Sequence, residues 1–229
     1  MTELFPQLST LLQVVLIDVA LSGDNAIVIA LAARILPKEL QRRAIAWGTV
    51  GAVVVRASLT VAVLWLLQIP GLMAAGGALL VWIAYRLLTS DDGGHAHDVA
   101  PAVSFWAAMR TIVIADAVMG LDNVLAVAGA AHGSILLVVL GLVISVPIVV
   151  WGSTLILRWI ERLPALLYVG GAVLAWTAAK MIADEPYFEN FFEERRAIKA
   201  ALYPAIIGGV LGLAWVRNRK AVARKEVLQ

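Results

Sequence analysis

The chain has 229 residues, of which 62% are hydrophobic, and a mean hydropathy of +0.89; soluble domains use about 45–50% apolar residues, so a water-soluble fold of this size is excluded. Its 18 basic and 16 acidic residues leave a net charge of +2, which calls for no nucleic-acid partner. It contains no cysteine, so disulfides and thiolate metal sites are excluded, and any metal site must use oxygen or histidine nitrogen, a choice that favours hard cations.

Seven apolar runs reach the length of about 20 residues that crosses the hydrocarbon core. The first, 8–36, lacks the basic leader and small-residue cleavage site of a signal peptide and is too long for one, so it is expected to span. It carries Asp18, Ser22, Gly23, Asp24 and Asn25. A charge at the bilayer centre costs from ~2.5 to over 10 kcal/mol, so such carboxylates persist where they pair, line a wet cavity or bind something. The second run, 44–68, has Arg56 midway, and the third is 71–90. A polar loop follows, with Asp91, Asp92, His95, His97 and Asp98; it could gather a cation, although a solvated linker is the default reading.

The fourth run, 104–131, repeats the acidic motif as Asp116, Gly120, Leu121, Asp122 and Asn123. Runs five and six cover 134–158 and 164–184. Next comes an acidic stretch with Glu185, Glu189, Glu193 and Glu194, expected to be a solvated surface helix, and a seventh run, 201–217, ends in a basic tail. The resulting organisation is a first three-helix repeat over 8–90, a cytosolic loop over 91–103, a second repeat over 104–184, an extracytoplasmic loop over 185–200, and a final helix with its tail over 201–229.

The duplication extends beyond the acids. Trp65, Pro70, Gly76, Gly77, Trp82 and Arg86 match Trp159, Pro164, Gly170, Gly171, Trp176 and Lys180 at an offset of 94, whereas the Asp motifs match at 98. Three helices per copy is an odd number, so the second copy is expected to be inverted, with a pseudo-two-fold axis in the membrane plane and acidic motifs meeting near the midplane. Gly76-Gly77 and Gly170-Gly171 are expected to be close-packing surfaces, and the repeated Trp and Pro residues interfacial and turn features. With the N-terminus outside, 13 of the 18 basic residues fall on the inner side, four fall outside and Arg56 stays in the membrane, which predicts an N-out, C-in topology. The basic tail is then the cytosolic anchor of the last helix on anionic lipid.

At about 100° per residue, Asp18, Ser22 and Asn25 share one stripe, as do Asp116, Gly120 and Asn123. Asp24 and Asp122 point roughly 120° away on an ideal helix, and local unwinding at Ser22-Gly23 and Gly120-Leu121 would turn them inward. The candidate ligands are therefore Asp18, Asp24, Asn25, Asp116, Asp122 and Asn123, six hard oxygen donors suited to Mn²⁺, Mg²⁺ or Ca²⁺. Interhelical glue is the plainer account of an isolated Asp or Asn, but duplicated Asp-Asn pairs with a second Asp at fixed spacing exceed what glue requires. Ser22, Gly23 and Gly120 are helix-break or packing positions. Four Asp and Arg56 sum to −3, and a divalent ion leaves −1, which one exchangeable proton would balance; a purely structural Arg–Asp pair is the equal alternative.

Ser22-Gly23-Asp24-Asn25 and Gly120-Leu121-Asp122-Asn123, each preceded by an Asp, together with three, three and one helices, resemble the TerC family of integral membrane proteins over roughly residues 8–184. The resemblance implies export of Mn²⁺ across the bacterial cytoplasmic membrane with these acids as ligands, distant kinship to the lysine-exporter superfamily, and, for some members, supply of manganese to secreted enzymes. Tellurite, source of the family name, is an oxyanion that an acidic cage would repel.

Three other readings bear on the same residues. A membrane aspartyl protease fails because Leu21 and Leu121 stand where its Gly-x-Gly-Asp signature needs glycine. A cation antiporter for Ca²⁺, and a factor handing metal to exported proteins, stay open. The expectation is thus an all-α, seven-span, inverted-repeat secondary transporter and not an enzyme. Mn²⁺ is its substrate and no cofactor is permanently bound; lipid surrounds it, and a homodimer is left open.

Overall fold

The computed structural model describes residues 4–66, 69–89, 101–131 and 134–227, and within these all side chains except those of 4–6, 63–65, 101–103, 122, 125, 189, 190, 193 and 221–227. Among the described residues all regular structure is helical: α1 (Leu4–Leu21), α2 (Gly23–Arg34), α3 (Lys38–Leu66), α4 (Leu72–Thr89), α5 (Pro101–Ala130), α6 (Ile135–Arg162), α7 (Ala165–Ala183), a 3₁₀ turn (Pro186–Phe188), α8 (Glu189–Glu194) and α9 (Arg196–Val227). Six of the described helices are long and apolar enough to cross a membrane, and α1 with α2, bent by 50°, makes a seventh span when the pair is taken as one. Helices are what this composition allows, because lipid offers backbone groups no other partner. The predicted spans hold, with α3 and α9 starting several residues earlier than expected. The His95 and His97 loop lies outside the described residues.

Small residues decide how the helices meet. α4 packs on α7, α3 on α5, and α6 on both α1 and α2, while α9 lies against α7 and α4. A Cβ on Gly77 would stand 2.7 Å from Ile182 Cγ1 and 2.7 Å from the Ala178 carbonyl oxygen, and one on Gly171 would stand 2.5 Å from Leu88 Cδ1. Likewise a Cβ on Gly48 would stand 2.8 Å from Ile112 Cδ1, and one on Gly141 would collide with Val14. These glycines let backbones approach closely, as membrane interfaces require. The buried core follows these contacts, with Leu31, Leu80, Leu88 and Leu174 at its centre. Outward faces are apolar and carry Trp47, Trp82, Trp106, Trp151, Trp159 and Trp176, each about half exposed or more, the surface of an integral membrane protein.

The acidic stretch after α7 differs from the expectation at Glu185, which is only 1% exposed. Its carboxylate accepts from the backbone N–H groups of Gly71 (2.8 Å), Ala74 (3.0 Å) and Tyr187 (3.4 Å), so it caps the N-terminus of α4. Gly71 turns into that helix with φ of +81°, a conformation suited to glycine. Desolvation pushes the Glu185 carboxyl up, but the amides of Gly71, Ala74, Tyr187 and Met73 outweigh it and hold the group below its ordinary 4.5. A depressed folded value means that the stabilisation is complete above 4.5 and is lost as pH falls through the folded value. Glu185→Gln should therefore lower stability by about 1–2 kcal/mol at neutral pH. The gap in melting temperature should close below pH 4.5.

Candidate cation site at the broken span

The first acidic motif sits where the chain interrupts its own helix. Ser22 adopts φ −95° and ψ 6° between α1 and α2. In an unbroken helix the Asn25 N–H would donate to the Leu21 carbonyl. Here it donates to Asp24 Oδ1 at 3.0 Å, and the freed Leu21 carbonyl accepts from Asn123 Nδ2 of α5 at 3.2 Å. Each half of the missing hydrogen bond thus has a replacement from the motif, which makes the break tolerable at membrane depth. The Ser22 N–H donates to Val19 (3.3 Å) and its carbonyl accepts from Ala26 (3.0 Å).

The second motif does not unwind. α5 is continuous from Pro101 to Ala130 through Gly120 and Leu121, contrary to the expected break. Gly120 instead lies against the arginine within the unbroken helix: a Cβ there would stand 3.6 Å from Arg56 Nε, an ordinary contact distance. The continuous helix also explains the state of Asn25, the repeat partner of Asn123. Among the described residues no freed carbonyl faces it, and both its Oδ1 and Nδ2 are buried without a hydrogen-bond partner.

Arg56 on α3 gathers the remaining residues. Its Nη1 donates to Asp18 Oδ1 at 2.6 Å and to Ser22 Oγ at 3.3 Å, and its Nη2 donates to Asp116 Oδ1. The Ser145 hydroxyl of α6 donates to Asp18 Oδ2. Asp18, Arg56 and Asp116 are all buried, and the three sum to −1. Among the described residues, Asp116 Oδ2 and Arg56 Nε have no hydrogen-bond partner. Asp24 is half-buried on the other side of the break, where its Oδ2 accepts from the Thr177 hydroxyl of α7 at 3.2 Å. Among the described residues no three acidic or His side chains converge as a metal cluster, and the side chain of Asp122 lies outside them. The structure therefore joins Asp18 to Asp116 through Arg56, sends Asp24 to α7 and makes Asn123 a helix cap. Ser145 and Thr177 were missed, since a lone hydroxyl in an apolar run carries no sequence signal.

The family model for the integral membrane protein TerC family matches residues 5–223. The uncharacterized membrane protein YjbE of Bacillus subtilis (strain 168) is 45% identical over 196 residues, covering 85% of this chain and 88% of its own. The uncharacterized membrane protein YkoY of the same strain is 22% identical over 179 residues, 70% of this chain and 55% of its own length. The UPF0053 inner membrane protein YoaE of Escherichia coli (strain K12) is 25% identical over 195 residues, 76% of this chain and 37% of its own length. No solved structure matches.

Proposed function

We propose that this chain, which belongs to the TerC family of integral membrane proteins, is a secondary transporter that exports a divalent cation, Mn²⁺ foremost, across the bacterial cytoplasmic membrane. The observation that carries the reading is polar chemistry left unsatisfied inside a spanning bundle: the Asn25 carboxamide and Asp116 Oδ2 are buried and unpartnered, beside a broken helix. Buried polar groups normally find partners, and intramembrane ionisable groups mark ion pathways. Hard oxygen donors on Asp18, Asp24, Asn25, Asp116 and Asp122 suit such an ion. Nothing in the chain resembles an ATP-binding motif, so gradients would drive the flux, with a proton as the exchanged ion.

An inverted repeat supplies the two-sided access. The glycine contacts support it by reciprocity: Gly77 meets Ile182 and Gly171 meets Leu88, the same pair after exchange by 94. Gly48 meets Ile112 and Gly141 meets Val14; Val14 and Ile112 are separated by the 98 of the Asp motifs, and Gly48 and Gly141 by 93, one short of the 94. Exchange of the two halves would break α5 at Gly120 and straighten α1 into α2, with Asn25 capping Met119 as Asn123 now caps Leu21. The N-terminus is outside on this reading, because the basic residues cluster on the opposite side.

The test is cellular manganese and growth in excess Mn²⁺, in an exporter-deficient bacterium carrying the native chain or Asp24→Asn with Asp122→Asn. The native chain should lower intracellular manganese and the variant should not, with both present in the membrane. If neither changes it, manganese export is wrong, and Ca²⁺ flux or metal delivery to exported proteins takes its place.

A further inference from the structure

Arg56 stands where a cation bound by both repeats would have to stand. Its guanidinium reaches Asp18 of α1 with one nitrogen and Asp116 of α5 with another, so a single side chain links the two copies of the acidic motif. It belongs to one copy only, because its counterpart at the offset of 94 is Val150. A divalent ion needs carboxylate oxygens at about 2.0–2.6 Å, and the guanidinium already lies 2.6 Å from Asp18 Oδ1. Two cations on the same carboxylates would repel each other at close range, so binding of the ion weakens the hold of the guanidinium. The cage around the arginine is also incomplete: Nε and Asp116 Oδ2 are unpartnered, and Gly120 presents no side chain on the Nε side.

We infer that Arg56 is a tethered counter-cation that exchanges with the substrate, holding Asp18 and Asp116 when the divalent ion has left and withdrawing toward Gly120 when it binds. This rests on the transport reading above. It eases the electrostatic problem of the return step, since the guanidinium leaves the two carboxylates at a net −1 instead of −2 in low dielectric while the carrier reorients. It also sets a threshold for cargo, because an ion must outcompete a paired guanidinium to enter.

The inference is tested with purified native protein, Arg56→Gln and Arg56→Lys in proteoliposomes, using Mn²⁺ as the probe. Binding, net efflux into Mn²⁺-free buffer, and exchange of labelled for unlabelled Mn²⁺ are measured separately. If Arg56 holds the carboxylates roughly nine-tenths of the time, its removal should tighten apparent Mn²⁺ affinity about tenfold. Arg56→Gln should keep exchange, which never needs an empty return, and lose net efflux; Arg56→Lys, which retains a mobile cation, should restore net efflux in part. Exchange and net efflux falling together in a folded Arg56→Gln, without tighter binding, would make the arginine a fixed clamp and overturn the inference. For a variant too unstable to reconstitute, Mn²⁺ should raise its melting temperature more than that of the native protein, and equal shifts count against the exchange. A native protein that neither binds nor moves Mn²⁺, Ca²⁺ or Mg²⁺ would instead remove the transport reading, and this inference with it.

Discussion

Asp18→Ala is expected to lower the stability of the detergent-solubilised protein by about 3–5 kcal/mol, read as a fall in melting temperature on the order of 10 °C. The magnitude comes from what the substitution strands. Asp18 is 1% exposed and accepts from Arg56 and from Ser145, so its loss leaves a buried guanidinium half-paired. Asp24→Ala is the contrasting case. Asp24 is half-buried, and its partners are its own helix's Asn25 N–H and the Thr177 hydroxyl, which is also within 3.2 Å of the Val173 carbonyl. Its removal should cost about 1 kcal/mol, the scale of one ordinary hydrogen bond. The two acids of one motif are thus separable: one holds the bundle together, and the other can be changed in a transport assay without melting the protein. Equal losses at the two positions would refute that division.

The architecture was legible because lipid leaves few options. Seven long apolar runs placed the spans to within several residues, and the glycine pairs at an offset of 94 marked close-packing surfaces, of which Gly77 and Gly171 lie at the α4–α7 contact. The motif residues were legible as a group, since Asp in lipid is conspicuous. Their division of labour was not. Periodicity treats the copies alike, whereas the bundle breaks one helix and keeps the other straight, and sets Arg56, which has no counterpart in the second copy, between Asp18 and Asp116. Glu185 was misread because composition shows an acidic run, and only the return of α7 beside the start of α4 turns one of its members into a cap.

Asn25→Ala should separate stability from function most sharply. A buried carboxamide with both polar atoms unpartnered destabilises the fold that contains it, by about 1–3 kcal/mol for the desolvation of such a group. Removing it should leave the melting temperature unchanged or raise it. Asn123→Ala should do the opposite, because it uncaps the Leu21 carbonyl at the break in α1 and α2. Yet Mn²⁺ transport should fall roughly tenfold with Asn25→Ala, the equivalent of about 1.5 kcal/mol for one lost contact to a charged group or one lost cap. Sites where a local rule is broken without a structural return are where function is expected to reside. A variant more stable than the native protein and equally active would show that Asn25 is merely a tolerated defect, and the reading of the broken span as the transport site would lose the observation that carries it.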